Sequence, residues 1–377
     1  MTWLRCNLSL SRYLFMACAL AACGQAEPGK NHGSDNAARA SKDSSTKTKT
    51  KTKTKPYAFT LPKGLTAPPE VPKDNPMSAE KIALGHKLFM EPKLSVDASR
   101  SCYSCHQNER GNADGRTKAL GAKAKPLSRN TPTIWNVAYH KTLYWDGRAP
   151  SLEKQALGAW KGGNMGVGAD GLDAKAAQIG EMPAYASAFK SVFGLASGSD
   201  TKPIHIARAI SAYERTLLCG DTAYDNDTLS DSAERGHALF MGKARCATCH
   251  VGPNFSDGLF HNIGIEVDGK GKIRSKADLG HGKVVQDDTK NHSFRTPTLR
   301  NVAKTAPYFH DGSVLSLADA VRFMAQGGNA KAPGIAPGLQ DTKIDDAGIG
   351  DLVAFLEALG CPGELKVVGH QPTLPLK

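Results

Sequence analysis

Two short motifs limit this chain more than anything else in its 377 residues: Cys102-Tyr103-Ser104-Cys105-His106 and Cys246-Ala247-Thr248-Cys249-His250. The spacing has a chemical reason. Two thiols three positions apart can each add to one vinyl group of a haem, and the adjacent His then reaches the iron from the same face. A lone motif of this kind could instead hold zinc or form a redox dithiol. Zinc, however, needs a second ligand pair nearby, and none is spaced for it. Two complete copies make two covalently attached c-type haems the expectation.

The start of the chain reads as a secretory signal. Arg5 and Arg12 supply positive charge, and Tyr13 to Ala22 form an apolar run too short to span a bilayer. It ends in Leu20-Ala21-Ala22-Cys23, which resembles a bacterial lipobox in which Cys23 is lipidated. An ordinary cleavage site beside a coincidental Cys is the alternative. Residues 24–56 are polar, carry an alternating Thr-Lys run from Thr46 to Lys55, and read as a disordered tether. More than half of the net charge of +12 lies in the first 55 residues. The rest is only mildly basic, so nucleic-acid binding is not indicated. Of the 9 Cys, Cys6 and Cys18 leave with the signal, and Cys219 and Cys361 remain as a disulfide candidate in an oxidising compartment. Two buried free thiols are the alternative.

Around the motifs the chain is a diverged tandem repeat. Thr131-Pro132-Thr133 matches Thr296-Pro297-Thr298, Asn136-Val137-Ala138 matches Asn301-Val302-Ala303, Asp146-Gly147 matches Asp311-Gly312, and Ser151-Leu152 matches Ser316-Leu317, all 165 residues apart. The haem motifs are only 144 apart, so the second copy holds an insertion, about 251–295, whose Gly and Asp content reads as a long loop. A short helix precedes each motif, opening near Ser78 and near Ser232. His86 and His237 hold matching places on these helices, and a shared packing or surface role suits them better than metal ligation.

The copies differ where chemistry would be decided. Met324 falls on an apparent helix from Leu317, and a thioether there is a natural sixth ligand to the second iron, unless Met324 is a core residue. Its counterpart is Ala159, which cannot ligate iron, so the first haem is expected to be open on its distal side. Trp145 pairs with His310. It could carry electrons between the haems or simply pack on a porphyrin. Gln155 lies ten residues further on and could point into the open pocket.

Over roughly residues 75–360 the chain resembles the bacterial di-haem cytochrome c peroxidases and the related di-haem protein-oxidising enzymes. The resemblance rests on Leu84-Gly85-His86-Lys87-Leu88-Phe89, Arg129-Asn130-Thr131-Pro132-Thr133, Trp145-Asp146-Gly147-Arg148, Leu152-Glu153-Lys154-Gln155-Ala156 and Ala306-Pro307-Tyr308-Phe309-His310-Asp311-Gly312. It implies that a small cytochrome c or copper protein gives electrons to the C-terminal haem at His250 and Met324. They then pass by way of Trp145 to the N-terminal haem at His106, where hydrogen peroxide is reduced to water. It also implies a homodimer and a calcium ion held by the side chain of Asn130 and the carbonyls of Thr305 and Pro307.

Two departures stand out. The family often carries a loop His that closes the first haem until reduction, and residues 107–139 contain none. The family also places a distal Glu, followed by Met, about ten residues after the Gln. Here the stretch is one residue short, and Asn164 stands before Met165. An amide can hydrogen-bond but is no general base near neutral pH.

The reading is an all-α protein of two cytochrome c-like haem domains in tandem with long loops: signal 1–23, tether 24–56, peroxidatic domain 57–222, electron-transfer domain 223–362, tail 363–377. The expected activity is peroxide reduction in the periplasm or at the outer membrane, with Gln155, Trp145 and Asn164 as distal-site residues. A di-haem electron carrier without peroxide turnover is one alternative. A protein-side-chain oxidase is another, although the best-known enzyme of that type has Tyr where this chain has Met324.

Overall fold

The computed structural model describes residues 57–362; the signal, Cys23, the tether and the tail lie outside the described residues. Its helices are α1 (Ala79–Phe89), α2 (Leu152–Lys161), α3 (Leu172–Glu181), α4 (Ala186–Phe193), α5 (Pro203–Glu214), α6 (Asp231–Met241), α7 (His281–Val285), α8 (Leu317–Ala325) and α9 (Asp346–Glu357). None is long and apolar enough to cross a membrane.

Repeated sequence becomes repeated structure through two helix crossings. Helix α1 packs on α5, and α6 on α9. At the first crossing a Cβ on Gly85 would overlap the Ala209 carbonyl oxygen. At the second, a Cβ on Gly236 would overlap that of Asp351. Glycine is required at both because backbone meets backbone there. The next residue, His86 or His237, then packs on aromatic rings: His86 lies 4.9 Å from Tyr213, and His237 lies 5.0 Å from Phe355.

Ser78 caps α1 by accepting from the Lys81 N–H. Ser232, near the start of α6, is not the cap that its place in the sequence suggests. Helix α6 starts earlier, capped by Ser230, and the Ser232 hydroxyl instead donates to Asp351 on α9 at 2.6 Å. The earlier start frees Ser232 to bond across the crossing.

Two apolar clusters follow from the crossings. One gathers Leu84, Leu88, Phe89, Trp160, Phe189, Ile206, Ile210 and Leu217. The other gathers Phe240, Phe255, Leu352, Phe355 and Leu359. A disulfide joins Cys219 to Cys361, across 142 residues, and so ties the segment after α9 to the first cluster.

The insertion is not a plain loop. Phe260–His261 pairs antiparallel with Phe294–Arg295, and α7 lies between them. Gly252, Gly258, Gly264, Gly271 and Gly280 of this segment adopt positive φ. Phe260 stacks on His281 with centroids 3.6 Å apart. Asp278 reaches the first repeat, where the Arg129 guanidinium binds it at 2.7 Å.

Candidate active site: two histidine-headed cavities

Each Cys-x-x-Cys-His motif forms one 3-10 turn, Cys102–Ser104 and Cys246–Thr248. The amide of the following His bonds back to the first Cys carbonyl, at 3.1 Å for His106 and 3.0 Å for His250. All four motif cysteines are free of disulfides. His106 Nδ1 pairs with the Asn112 carbonyl and His250 Nδ1 with the Phe255 carbonyl, both at 2.9 Å. A carbonyl can only accept, so Nδ1 carries the proton and Nε2 keeps its lone pair for a metal. Burial holds both imidazoles below the usual range, in the neutral form that ligates.

The two histidines open onto different surroundings. Around His250 lies a cavity of about 430 Å³ whose lining includes Cys246, Cys249 and Met324. Around His106 the cavity is larger, about 1340 Å³, and its lining includes Cys105, Trp145, Gln155, Asn164 and Glu214. A smaller recess beside it brings Ala159 next to Cys102, Cys105 and His106.

Helices α2 and α8 explain the difference. Ser151 and Ser316, 165 residues apart, cap them in the same way, each hydroxyl accepting the N–H three residues on. The same helical position therefore offers a thioether at Met324 and a methyl group at Ala159. Trp145 lines both cavities, as do Asn130, Arg295 and His310. Its indole N–H donates to the Asn130 carbonyl at 3.0 Å.

Arg295 tests whether the residues fit a haem. Its guanidinium is buried, and Nε has no hydrogen-bond partner among the described residues. Burial alone pulls it down to about 10. A buried cation with no paired carboxylate is costly unless an anion meets it. Haem propionates are such anions, and the free cysteines and oriented histidines supply the remaining attachment chemistry, so the residues fit the group.

A family model described as di-haem cytochrome c peroxidase matches residues 79–233. The methylamine utilization protein MauG of Methylorubrum extorquens is 37% identical over 302 residues, which is 76% of this chain and 80% of that protein. The chain belongs to the di-haem cytochrome c peroxidase family. The cytochrome-c peroxidase IdrP1 of Denitromonas iodatirespirans, another relative, is 38% identical over 347 residues, 83% of this chain and 90% of its own. A crystal structure of a MauG-like protein associated with microbial copper homeostasis matches with a TM-score of 0.75 at 31% identity. The match covers 81% of this chain and 96% of that one.

Membership in the family implies covalently bound haem c. The structure brings His106, Gln155, Trp145 and Asn164 to one cavity and His250 and Met324 to the other. Asn130, Thr305 and Pro307 line the second cavity together. Asn130 commits its amide nitrogen to the Arg116 carbonyl at 2.7 Å, so only its amide oxygen could serve a metal ion. Cys249, Asp257 and His261 also bring ligand atoms within 4.8 Å of one another. Cys249 also belongs to the second Cys-x-x-Cys-His motif, so a haem joined there would compete with a metal ion for its sulfur.

Two residues escaped the sequence reading, Arg295 and Glu214. Arg295 is the counterpart of Asn130 and could have been found as a charge change between the copies. Glu214 continues the spacing of Ile206 and Ile210, a carboxyl on an apolar stripe.

Proposed function

We propose that this chain is an exported di-haem peroxidase that reduces hydrogen peroxide to water with electrons from a small cytochrome c or cupredoxin. The observation that carries this reading is the contrast between Met324 beside His250 and Ala159 beside His106. One site has a sixth ligand at hand; the other has room for a small substrate.

Cys102, Cys105 and His106 would hold one haem, and Cys246, Cys249, His250 and Met324 the other, in domains spanning 57–222 and 223–362. When bound, the haems supply the electron storage and transfer that peroxide reduction needs. Met324 closes its site and suits it to electron passage. Gln155 offers an amide to peroxide beside His106. Asn164 can orient the substrate but cannot accept its proton. Trp145, held by its indole N–H, lies between the cavities on the route for electrons. Asn130, Thr305 and Pro307 hold a calcium ion that stiffens this junction. Export places the enzyme in the periplasm, with Cys23 as a lipid anchor to a membrane, and the functional unit is a homodimer.

Steady-state oxidation of a reduced small cytochrome c by hydrogen peroxide tests the reading. Peroxide-dependent oxidation is expected, and Asn164→Glu should raise its rate. A protein with both haems attached and reducible, yet with no peroxide-dependent turnover, would instead be an electron carrier. Asn164 in place of a carboxylate is the observation that favours that second reading. Met324 disfavours a protein-side-chain oxidase.

A further inference from the structure

The proposed reaction needs a group that can hold and return a proton, and neither Gln155 nor Asn164 can. Helix α5 brings another residue to the same place. Ile206, Ile210 and Glu214 are spaced four apart, so the carboxyl extends the buried stripe of the helix. These three, with Ala207, line the recess that also holds Cys102, Cys105, His106, Gln155 and Asn164. Glu214 lines the larger cavity as well, again beside His106, Gln155 and Asn164. Its residue surface is 6% exposed. Its Oε2 is buried and has no hydrogen-bond partner among the described residues. The adjacent cation is otherwise engaged: Arg215 Nη1 lies 2.8 Å from Glu153 Oε1, which also accepts from Asn75 at 2.7 Å. A buried carboxyl oxygen without a partner, on a residue that lines a cavity, is rarely left so by packing alone.

We infer that Glu214 is the proton-carrying group of the cavity at His106, supplying from helix α5 the carboxyl that is missing at Asn164. The inference rests on the peroxidase reading above.

The step balances as follows. Glu214 gives its proton to one peroxide oxygen as the oxygen–oxygen bond breaks, and that oxygen leaves as water. The carboxylate so formed takes the proton from the other oxygen. That second oxygen atom gains two electrons from the donor protein and two protons from solvent, forming a second water.

Burial pushes this carboxyl up to about 8, with Arg215 pulling down and Glu153 on α2 pushing up. It therefore carries its proton at neutral pH, ready to donate. The other groups facing it are Tyr213, whose phenol is itself pushed up by burial and by Glu214, and Arg100 and His106 across the recess. Cys102 does not titrate once its sulfur is a thioether.

The test uses the full-length protein with both haems attached. Hydrogen cyanide must lose its proton to bind the oxidised iron, and a carboxylate in the cavity accepts that proton. Cyanide association in the unsubstituted protein should quicken as pH rises through about 8. In Glu214→Gln only the ligand's own ionisation should remain, with association about tenfold slower or more, and peroxide turnover should fall by roughly 10²–10⁴. Asn164→Ala removes no titrating group and should keep the break. Haem content and the spectrum of the second haem report whether the variant is intact. If Glu214→Gln loads poorly, Glu214→Asp decides: a displaced break supports the assignment. A cyanide profile unchanged in Glu214→Gln or Glu214→Asp overturns it. If the unsubstituted protein lacks peroxide turnover but loses its cyanide break in Glu214→Gln, the peroxidase reading fails while Glu214 stands as the cavity's proton carrier.

Discussion

Asn130 and Arg295, counterparts 165 residues apart, each donate a backbone N–H across the junction: Asn130 to the carbonyl of His310, Arg295 to the carbonyl of Trp145, both at 2.8 Å. Trp145 and His310 are counterparts too, so the bonds form the reciprocal exchange that a two-fold relation between the copies produces. The backbone is shared while the side chains diverge. Trp145 points its indole at Asn130, whereas His310 stacks on Phe294 at 3.5 Å and binds Glu266 at 2.7 Å.

The guanidinium of Arg295 should bear on redox potential. A buried positive charge near a haem favours the reduced state, which carries one positive charge fewer. Arg295→Gln should lower the midpoint potential of the second haem in a potentiometric titration. An unchanged potential would mean that the guanidinium does not face that haem.

Met324, which lines the same cavity as His250, would set the same potential if it ligates that iron. Met324→Ala should remove the sulfur-to-iron absorption band and lower the midpoint, since Met/His ligation raises it. A variant with the original spectrum and potential would make Met324 a packing residue.

Both outcomes depend on an alignment that was legible in the sequence. The 165-residue offset is carried by short identical strings, and Ser151 and Ser316 then start α2 and α8 in the same way. The insertion was not legible. Its Gly and Asp residues correctly mark turns, but Phe260 pairs with Arg295 across most of the segment, and no local pattern encodes a contact that distant. Glu214 was hidden for a related reason. Its spacing places it on the buried face of α5, but only the packing of α2 beside that helix makes the buried place a cavity.

The docking of the insertion should depend on acid. Burial pulls Asp278 up, but the Arg129 hydrogen bonds and the Gly280 N–H outweigh it and hold the carboxyl at about 2. A depressed carboxyl stabilises the fold fully above its unfolded value, near 4, and loses that contribution as pH falls toward 2. The shift corresponds to at most about 2 kcal/mol, less after solvent screening of this partly exposed group. The stability difference between the unsubstituted protein and Asp278→Asn, by chemical denaturation, should therefore shrink as pH falls from about 5 toward 3. A difference constant over that range would count against the ion pair.

The disulfide should matter to stability and not to chemistry. Cys219 and Cys361 close a loop of 142 residues, for which chain entropy gives about 5 kcal/mol as an upper figure and about 2–5 kcal/mol is typical. Cys219→Ser with Cys361→Ser should lose stability on that scale while keeping both haems and their spectra. Loss of a haem in the double variant would show that the bridge shapes a site.

The open distal side at His106 has a simple proposed cause, the methyl group of Ala159, and the cause can be reversed. Ala159→Met places on α2 the thioether that α8 carries at Met324. The side chain must enter a recess of about 70 Å³ lined by Gln155, Trp160 and Met165. Overpacking there would cost about 1–3 kcal/mol, well short of unfolding a stable domain. With sulfur on the first iron, the oxidised protein should lose its high-spin electron paramagnetic resonance signal and gain a second sulfur-to-iron band. Cyanide should bind far more slowly and peroxide turnover should cease, with two covalent haems still present by mass. The unsubstituted protein must show the complementary behaviour: a high-spin signal and cyanide binding without prior reduction. If Ala159→Met stayed high-spin and active, α2 would not present position 159 to the first haem as α8 is proposed to present Met324 to the second, and the difference between the two sites would need another source.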